Sequence, residues 1–349
     1  MTSVRPQDGT LGAIEIESLL NRKPEMDNFA RSGINMFVAQ TVDRAHNLRK
    51  DKDWVAGRMK DPASAFVAVC REKVFVTEGG EPRVRHLTLT ELESRMEVEP
   101  SSLIYLGEEG GRAFFAAALA EEGEGPPAFP GAGVFRDLRA VAPLLPQTDG
   151  ALLAYAKTIV YWHQRNRFCG ACGSASESAD GGHVRVCTNP ACGVQHFPRT
   201  DPAIIVLVRA GESCLLGRQP IWPVGFYSTI AGFVEPGESA EAAVVREVFE
   251  ETGIRVDEVY YDSSQPWPFP CSLMLGFSAH AQKGQPFLLL DELEDARWFT
   301  RAELRDTVES GRVRLPSLIS IAFHLVESWY DEDSPEPLRE LASVPGRTR

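Results

Sequence analysis

The fold of this chain is decided by Gly232-Phe-Val-Glu-Pro-Gly-Glu238, followed by Arg246-Glu247-Val248-Phe249-Glu250-Glu251-Thr252-Gly253-Ile254. Residues 240–252 are predicted to form a helix. On that helix Glu247, Glu250 and Glu251 share one face, because side chains at i, i+3 and i+4 are neighbours. Three clustered carboxylates repel one another unless a cation lies among them, and magnesium prefers oxygen ligands on a rigid support. The stretch therefore predicts a site for divalent metal ions.

Other positions of the same stretch support this interpretation. Glu238 lies at the start of the helix, where a carboxylate interacts favourably with the helix dipole. Arg246 can pair with a nearby acid, Gly232 and Gly237 permit a tight loop close to the metal, and Gly253 ends the helix. The alternative is an ordinary solvated acidic helix. Seven fixed positions at a background frequency of about 7% each match by chance about once in 10⁸ starting points, which disfavours that alternative.

Four of the seven cysteines form a cluster, Cys169, Cys172, Cys187 and Cys192. Two short cysteine pairs on a hairpin can place four thiolates in the tetrahedral geometry that zinc prefers, and four sulfur ligands leave no open position. We therefore expect a structural zinc site, with free cysteines as the alternative. A zinc ribbon can also bind nucleic acid, but no run of basic and aromatic residues surrounds this one.

The bulk properties fit a globular protein. The chain has 349 residues, 43% hydrophobic and 24% charged, and a net charge of −13. That charge argues against indiscriminate binding to nucleic acid or anionic membranes. No apolar run approaches the length of a transmembrane helix, and the first thirty residues lack the pattern of a secretory signal. We expect a cytoplasmic protein with no membrane partner.

The order of predicted elements suggests several units. Residues 1–143 are predicted to form a small α+β domain for substrate contact or dimerisation, with hairpins at 65–76 and 102–116. A connecting helix over 149–166, capped by Asp149, precedes the cysteines. Further strands are expected at 203–208, 226–233, 256–261, 272–281 and 296–299, and helices at 301–310 and 317–330. The domain boundaries that follow are 1–143, 144–166, 167–199 and 200–330, with a flexible tail at 331–349.

A proline-rich loop follows the glutamate helix, Ser264-Gln-Pro-Trp-Pro-Phe-Pro-Cys-Ser272. Its prolines stiffen the backbone, and Trp267 and Phe269 offer flat faces for stacking on a base. Gln265 and Ser272 offer hydrogen bonds. The alternative is a rigid structural loop whose aromatic side chains lie in the core.

Together these motifs resemble the Nudix hydrolase family, and within it the NADH pyrophosphatase (NudC-like) branch. The box at 232–254 fits the Nudix pattern, and the cysteine ribbon and the SQPWPFPxS loop stand in the order of that branch. Shorter segments also resemble it: 137–139, 196–199, 296–299 and 320–322. The similarity covers residues 135 to 330, whereas the first 130 match only in their place in the order.

The resemblance implies an α+β protein: a Nudix α/β/α sandwich preceded by a four-cysteine zinc ribbon and a smaller N-terminal α+β domain. It implies hydrolysis of the diphosphate of NADH or NAD⁺ to AMP and nicotinamide mononucleotide, with Mg²⁺ or Mn²⁺ at the box and structural Zn²⁺ in the ribbon. It further implies a homodimer, and NAD-capped RNA as a second substrate.

Site residues are carried over by position. The metal ligands would be the backbone carbonyl of Ala231 with Glu247, Glu250, Glu251 and Glu292, although Glu294 and Asp295 lie close to the last. The expected substrate contacts are Arg139, Phe197, Gln265, Pro266, Trp267, Pro268, Phe269, Pro270, Cys271, Ser272 and the backbone near Ala322. Phe197 stands where a tyrosine is common in the family, so a hydroxyl contact is absent there.

The resulting hypothesis is metal-assisted attack of water on one phosphorus, on the adenylyl side. The catalytic residues would be Glu247, Glu250 and Glu251, and the general base Glu250, Glu251 or Glu292. Alternatives are a Nudix hydrolase of ADP-ribose or diadenosine polyphosphates, or a zinc-ribbon binding module with a vestigial Nudix site. The sequence does not separate free NAD from an NAD cap, because both present the same diphosphate.

Overall fold

The computed structural model describes residues 27–39, 42–129, 131, 133–286 and 292–343. In these residues the strands form three sheets, which follow one another along the chain. A short helix α1 (Asn28–Ile34) precedes the first sheet.

The first sheet has five strands in the order β3-β4-β1-β2-β5. The strands are β1 (Ala65–Cys70), β2 (Lys73–Thr77), β3 (Leu103–Glu109), β4 (Arg112–Leu119) and β5 (Gly133–Asp137), and the predicted hairpins are confirmed. The helices of this unit are α2 (Lys52–Lys60), α3 (Leu89–Glu93) and α4 (Leu138–Val141). Strand β1 is buried on both faces, since alternate residues enter two separate apolar clusters.

The connecting helix α5 (Gln147–Arg165) covers one face of this sheet through Leu153, Ala156 and Val160. The helix begins earlier than predicted, because Pro146 rather than Asp149 occupies the N-cap. Asp149 lies in the first turn, where its carboxylate accepts hydrogen bonds from Arg83 and from the backbone amide of Val84. The acid therefore fastens the helix to the sheet.

The second sheet is the small ribbon, with strands β6 (Ser176–Ala179), β7 (Val184–Cys187) and β8 (Gln195–His196). It lies between the connecting helix and the third sheet in the chain.

The third sheet has six strands in the order β12-β13-β9-β10-β14, with β11 also paired to β9. The strands are β9 (Asp201–Ala210), β10 (Ser213–Arg218), β11 (Ile230–Phe233), β12 (Val256–Trp267), β13 (Ser272–Ala281) and β14 (Asp295–Thr300). The helices are α6 (Ala240–Thr252), α7 (Arg301–Glu309), α8 (Ile321–Asp331) and α9 (Leu338–Ala342).

The third sheet is covered by helices on both faces. Ile204 and Val206 of β9 share an apolar cluster with α6, whereas Ile205 and Leu207 share another with α7 and α8. This alternation follows from the two-residue period of a strand. The predicted α/β/α sandwich is confirmed.

The structure differs from the sequence prediction in three places. Residues 226–229 precede β11 rather than forming part of it, and β12 continues through Trp267, so it includes much of the proline-rich segment. The third difference is in the tail at 331–349, which is predicted to be flexible, whereas residues 338–342 form α9. Leu338, Leu341 and Ala342 stand at i, i+3 and i+4, and all three are buried against the core.

Within the described residues, no helix combines the length and the apolar character that a membrane crossing needs.

Candidate active site

The three glutamates of the box lie on α6, beside strand β11. Ser239 caps the helix by accepting a hydrogen bond from the Ala242 amide at 3.1 Å, and Gly253 ends it with φ of 68°. Val248 is fully buried on the opposite face. A Cβ atom at Gly232 would lie 1.9 Å from Cδ of Glu247. Glycine at this position is therefore what lets the strand backbone approach the carboxylates.

Arg246 organises three of the box carboxylates. Its guanidinium donates to both carboxylate oxygens of Glu238, at 2.8 and 2.9 Å, to Glu247 at 2.9 Å and to Glu250 at 3.0 Å. It also donates to the Phe233 carbonyl at 3.0 Å. These bonds hold the loop and the helix together, as the sequence prediction of a pairing arginine implied.

Glu251 has a different environment. It is 4% exposed, and among the described residues it forms no ion pair. Burial, and then the negative charges of Glu247, Glu292 and Glu250, raise the pKa of Glu251 to about 8. Burial also raises the pKa of Glu247. A carboxylate buried among carboxylates needs a cation to ionise at neutral pH, so the donor set fits a divalent metal ion.

The segment before β14 supplies a fourth acid. Leu293 is buried against Gly217 and anchors the segment. Glu294 forms an ion pair with Arg218, and Asp295 accepts a hydrogen bond from Tyr227. The charge of Glu292 contributes to the raised pKa values of Glu247 and Glu251. The sequence left Glu292, Glu294 and Asp295 as candidates for this metal ligand. Among the described residues, Glu294 and Asp295 each have a partner, whereas Glu292 has none and lies next to the box glutamates.

Ala231, the other expected metal ligand, lies in β11 opposite Ile205 of β9 and directly before Gly232. It is exposed at the edge where the glutamates lie. Phe233, two residues further on, is also exposed, and the sequence analysis did not select it.

Gln265 does not have the free side chain that a ligand contact requires. It is 0% exposed, its amide donates to the carbonyls of Met36 at 2.9 Å and Ile319 at 2.7 Å, and its oxygen accepts from the Ile321 amide at 2.8 Å. The expected hydrogen bond to a substrate is replaced by three bonds within the protein. Gln265 fixes the backbone that leads into α8, and with it the position of Ala322.

Trp267 and Phe269 are half-buried and pack together edge to face, with ring centroids 5.2 Å apart. Both also contact Phe37 of the N-terminal segment. The guanidinium of Arg139 lies 4.3 Å from the ring centroid of Phe269 and 5.6 Å from that of Trp267. The alternative of a rigid structural loop with its aromatic side chains in the core therefore holds in part, because the two rings pack against each other and against Arg139.

Lys157 holds the same loop from the connecting helix. Its side chain is 3% exposed, and its ammonium donates to the Pro268 carbonyl at 2.8 Å and lies 5.3 Å from the ring centroid of Phe269. Burial lowers the pKa of Lys157. The sequence analysis missed this residue, because a lysine on an amphipathic helix gives no signal that it is buried.

A cavity of about 500 Å³ brings together three of the expected substrate residues, Arg139, Trp267 and Ala322. Trp222 and Phe226 also line it, and no motif marked them in the sequence. Phe197 is not among the residues lining this cavity and is 63% exposed. The remaining loop residues lie around the turn between β12 and β13: Pro266, Pro268, Pro270, Cys271 and Ser272.

The four predicted zinc ligands converge, with all Sγ atoms within 4.8 Å of one another. Cys172 and Cys187 are 3.4 Å apart, and Cys169 and Cys192 are 3.8 Å apart. His196 Nε2 lies 3.3 Å from Sγ of Cys169. Four sulfur donors at these distances suit a closed, tetrahedral zinc site.

Comparison with known proteins agrees with this geometry. A NUDIX domain model matches residues 198–317, and a zinc ribbon model of NADH pyrophosphatases matches residues 164–197. Residues 63–162 match an NADH pyrophosphatase-like rudimentary NUDIX domain. The NAD-capped RNA hydrolase NudC of Mycobacterium bovis (strain BCG / Pasteur 1173P2) is 38% identical over 300 residues, covering 82% of this chain and 92% of the relative. The chain belongs to the Nudix hydrolase family, in its NADH pyrophosphatase branch.

More distant Nudix proteins are also similar. The NAD-capped RNA hydrolase NUDT12 of Homo sapiens is 34% identical over 349 residues, covering 84% of this chain and 73% of the relative. A solved Nudix hydrolase from Nitrosomonas europaea aligns with 39% of this chain and 79% of its own, at 23% identity and a TM-score of 0.33. The match over residues 63–162 adds to the sequence prediction, which gave this region no family.

Proposed function

We propose that this Nudix hydrolase cleaves the diphosphate of NADH and NAD⁺ to AMP and nicotinamide mononucleotide, and that it removes NAD caps from RNA by the same chemistry. The observation that carries the proposal is Glu251, buried beside Glu247 and Glu292 at a strand edge opened by Gly232. Relatives named NAD-capped RNA hydrolases, at 34% and 38% identity, support the choice of substrate.

Magnesium or manganese bound at the box would neutralise the diphosphate and favour ionisation of the attacking water. Glu247, Glu250, Glu251, Glu292 and the Ala231 carbonyl would hold it. Arg246 orients Glu247 and Glu250 through its hydrogen bonds. Glu250, Glu251 and Glu292 are the carboxylates placed to accept the proton of water.

Substrate would be held by the cavity beside the proline-rich loop. Arg139 supplies a positive charge at this cavity, and Trp267 an apolar face. Gln265 and Lys157 act on the substrate only through the backbone that they fix.

We also propose a homodimer. Phe197 is exposed and does not line the cavity of Arg139. It could contact a substrate in that cavity if it belonged to a second copy of the chain. Ile221 and Val224, in the loop before β11, are also strongly exposed. Strongly exposed apolar side chains close together in one loop are typical of an interface. Sedimentation velocity tests this proposal, and a monomer at micromolar concentration would contradict it.

A cytoplasmic location is proposed as well. Four free thiols suited to zinc are typical of a reducing compartment, since disulfides form in oxidising ones.

The decisive experiment compares initial rates for NADH, NAD⁺, ADP-ribose and NAD-capped RNA at one magnesium concentration, with products separated by chromatography. We expect AMP and reduced nicotinamide mononucleotide from NADH, and no turnover by Glu251→Gln. Faster cleavage of ADP-ribose than of any NAD substrate would contradict the proposed specificity. Normal activity of Glu251→Gln would contradict the proposed site.

A further inference from the structure

Residues 27–38, which include α1 and are called the strap below, lie against β12, the edge strand of the third sheet. Oγ of Ser32 accepts a hydrogen bond from the backbone amide of Ser264 at 3.0 Å. Nδ2 of the buried Asn35 donates to the Ser264 carbonyl at 3.0 Å. Side chains of the strap therefore bond both backbone groups of Ser264, on an edge strand whose outer groups need such partners.

The strap ends in a turn at Phe37, whose backbone lies in the left-handed region with φ of 72°. A residue with a bulky side chain rarely adopts this conformation, which persists only where surrounding groups hold it. The buried ring of Phe37 packs edge to face with Trp267 and Phe269, at centroid distances of 6.2 and 6.0 Å. These are the two rings against which Arg139 packs, so the turn supports the aromatic pair beside the substrate cavity.

Gln147, the first residue of the connecting helix α5, bonds this turn from the side of the N-terminal unit. Its Nε2 donates to the carbonyls of Gly33 at 2.6 Å, Asn35 at 2.9 Å and Val38 at 2.9 Å. A side-chain amide has two N–H bonds, so the three carbonyls share them. Two of these carbonyls belong to residues on either side of the left-handed Phe37, so Gln147 holds the strained turn closed.

We propose that Gln147 is a positioning residue for the substrate. It bonds the turn of the strap, the turn packs Phe37 against Trp267, and Trp267 lines the cavity proposed to hold the substrate. Met36, in the same turn, accepts the hydrogen bond of Gln265. Without Gln147 the loop keeps its binding arrangement for only a fraction of the time. Apparent affinity falls by that fraction, whereas the bound complex is unchanged.

The effect on KM rests on the proposed cleavage of NADH, whereas the effect on the strap does not. Two measurements therefore form the test: steady-state kinetics with NADH at saturating magnesium, and hydrogen exchange of the zinc-loaded protein by mass spectrometry.

Gln147→Glu keeps the shape of the side chain but places a carboxylate against three carbonyl oxygens, so it should release the turn. Gln147→Lys supplies N–H donors again and should restore the contact. Thr148→Glu is the matched control, because it puts the same charge on the exposed neighbour in the same first turn. A carboxylate in the first turn of a helix is favourable, so a defect of Gln147→Glu does not come from the helix itself.

We expect Gln147→Glu to raise KM about fivefold or more, the factor that corresponds to about one hydrogen bond, at unchanged kcat. Gln147→Lys and Thr148→Glu should match wild type. In Gln147→Glu alone, the amides of the strap and of Ser264 should exchange faster. A lower melting temperature with an unchanged KM would overturn the proposal, because it indicates a structural role only. A rise in KM that Gln147→Lys shares would overturn the donor role of the side chain.

If Gln147→Glu does not fold, Ser32→Ala decides, since it removes the acceptor of the Ser264 amide at another point of the strap. The same rise in KM at unchanged kcat supports the proposal, and a wild-type KM overturns it. Failure of wild type to cleave NADH contradicts the proposed function, and exchange of the strap then tests the inference by itself: a wild-type exchange rate in Gln147→Glu overturns it. Cleavage of NADH by both proteins with the same KM contradicts the positioning role alone.

Discussion

Replacing Glu251 by glutamine should stabilise the metal-free protein at pH 8 while it abolishes turnover. Glu251 is buried beside Glu247 and Glu292, and without metal its ionisation is opposed first by burial and then by these charges. The amide of glutamine has almost the same shape and carries no charge. The substitution therefore removes the unfavourable burial of a negative charge. It also removes the carboxylate that the reaction needs.

The magnitude follows from the pKa of Glu251, which rises from 4.5 to about 8 on folding. Below about pH 4.5 the carboxyl is protonated in both states and costs nothing. Between about pH 4.5 and 8 the folded protein keeps a proton that the unfolded chain releases, so the free energy of unfolding falls as the pH rises. At about 1.4 kcal/mol per pH unit, the loss reaches an upper value of about 4 kcal/mol at pH 8.

Urea denaturation at pH 4.5 and pH 8, with zinc present and no added magnesium, measures this effect. We expect Glu251→Gln to be more stable than wild type at pH 8 and to differ little at pH 4.5. Glu241→Gln, at an exposed position in the first turn of the same helix, should change stability by about 0.5 kcal/mol or less. Magnesium should stabilise wild type more than Glu251→Gln, because binding to the folded state adds to stability. Equal stability of wild type and Glu251→Gln at pH 8 would refute the reasoning.

Three other substitutions test separate parts of the structure. Gly232→Ala should lower kcat at least tenfold, because the new Cβ would meet the carboxylate of Glu247; steady-state kinetics that match wild type would contradict this close approach. Lys157→Met leaves the Pro268 carbonyl without its donor, at a cost of about 1–3 kcal/mol. It should raise KM for NADH more than it lowers kcat, and a change confined to kcat would argue against positioning through the loop. Cys187→Ser should lower both zinc content, measured by mass spectrometry, and melting temperature, and full retention of zinc would remove this cysteine from the ligand set.

The glutamate face could be predicted from sequence because its geometry is local. Glu247, Glu250 and Glu251 are close to one another in any regular helix, so the face follows from the helix alone. What sequence reasoning did not reach is that Glu251 is buried and Glu250 is half-exposed. That difference depends on β11 and on the segment of Glu292, which is about forty residues away in the chain.

The composition of the proline-rich loop marks it in the sequence, but it does not indicate the role of Gln265. Its three hydrogen-bond partners come from Met36, Ile319 and Ile321, which are remote in sequence. A polar residue in a family motif suggests a ligand contact, whereas the structure uses it to join three chain segments. The prolines and charges of the tail predict a flexible segment, although Leu338 and Leu341 have helical spacing.

The chemistry and the specificity of this protein therefore have different structural origins. The carboxylates lie mainly on one helix of the third sheet, and Arg246 aligns them from within the same segment. The loop beside the substrate cavity is fixed from outside that unit, by Lys157 of the connecting helix and by the backbone of Met36. Since kcat depends on groups that act in the transition state and KM also on groups that place the substrate, changes in the box should act chiefly on kcat. Changes in the N-terminal unit should act chiefly on KM, and this division gives a role in the enzyme to a unit whose described residues supply no catalytic carboxylate.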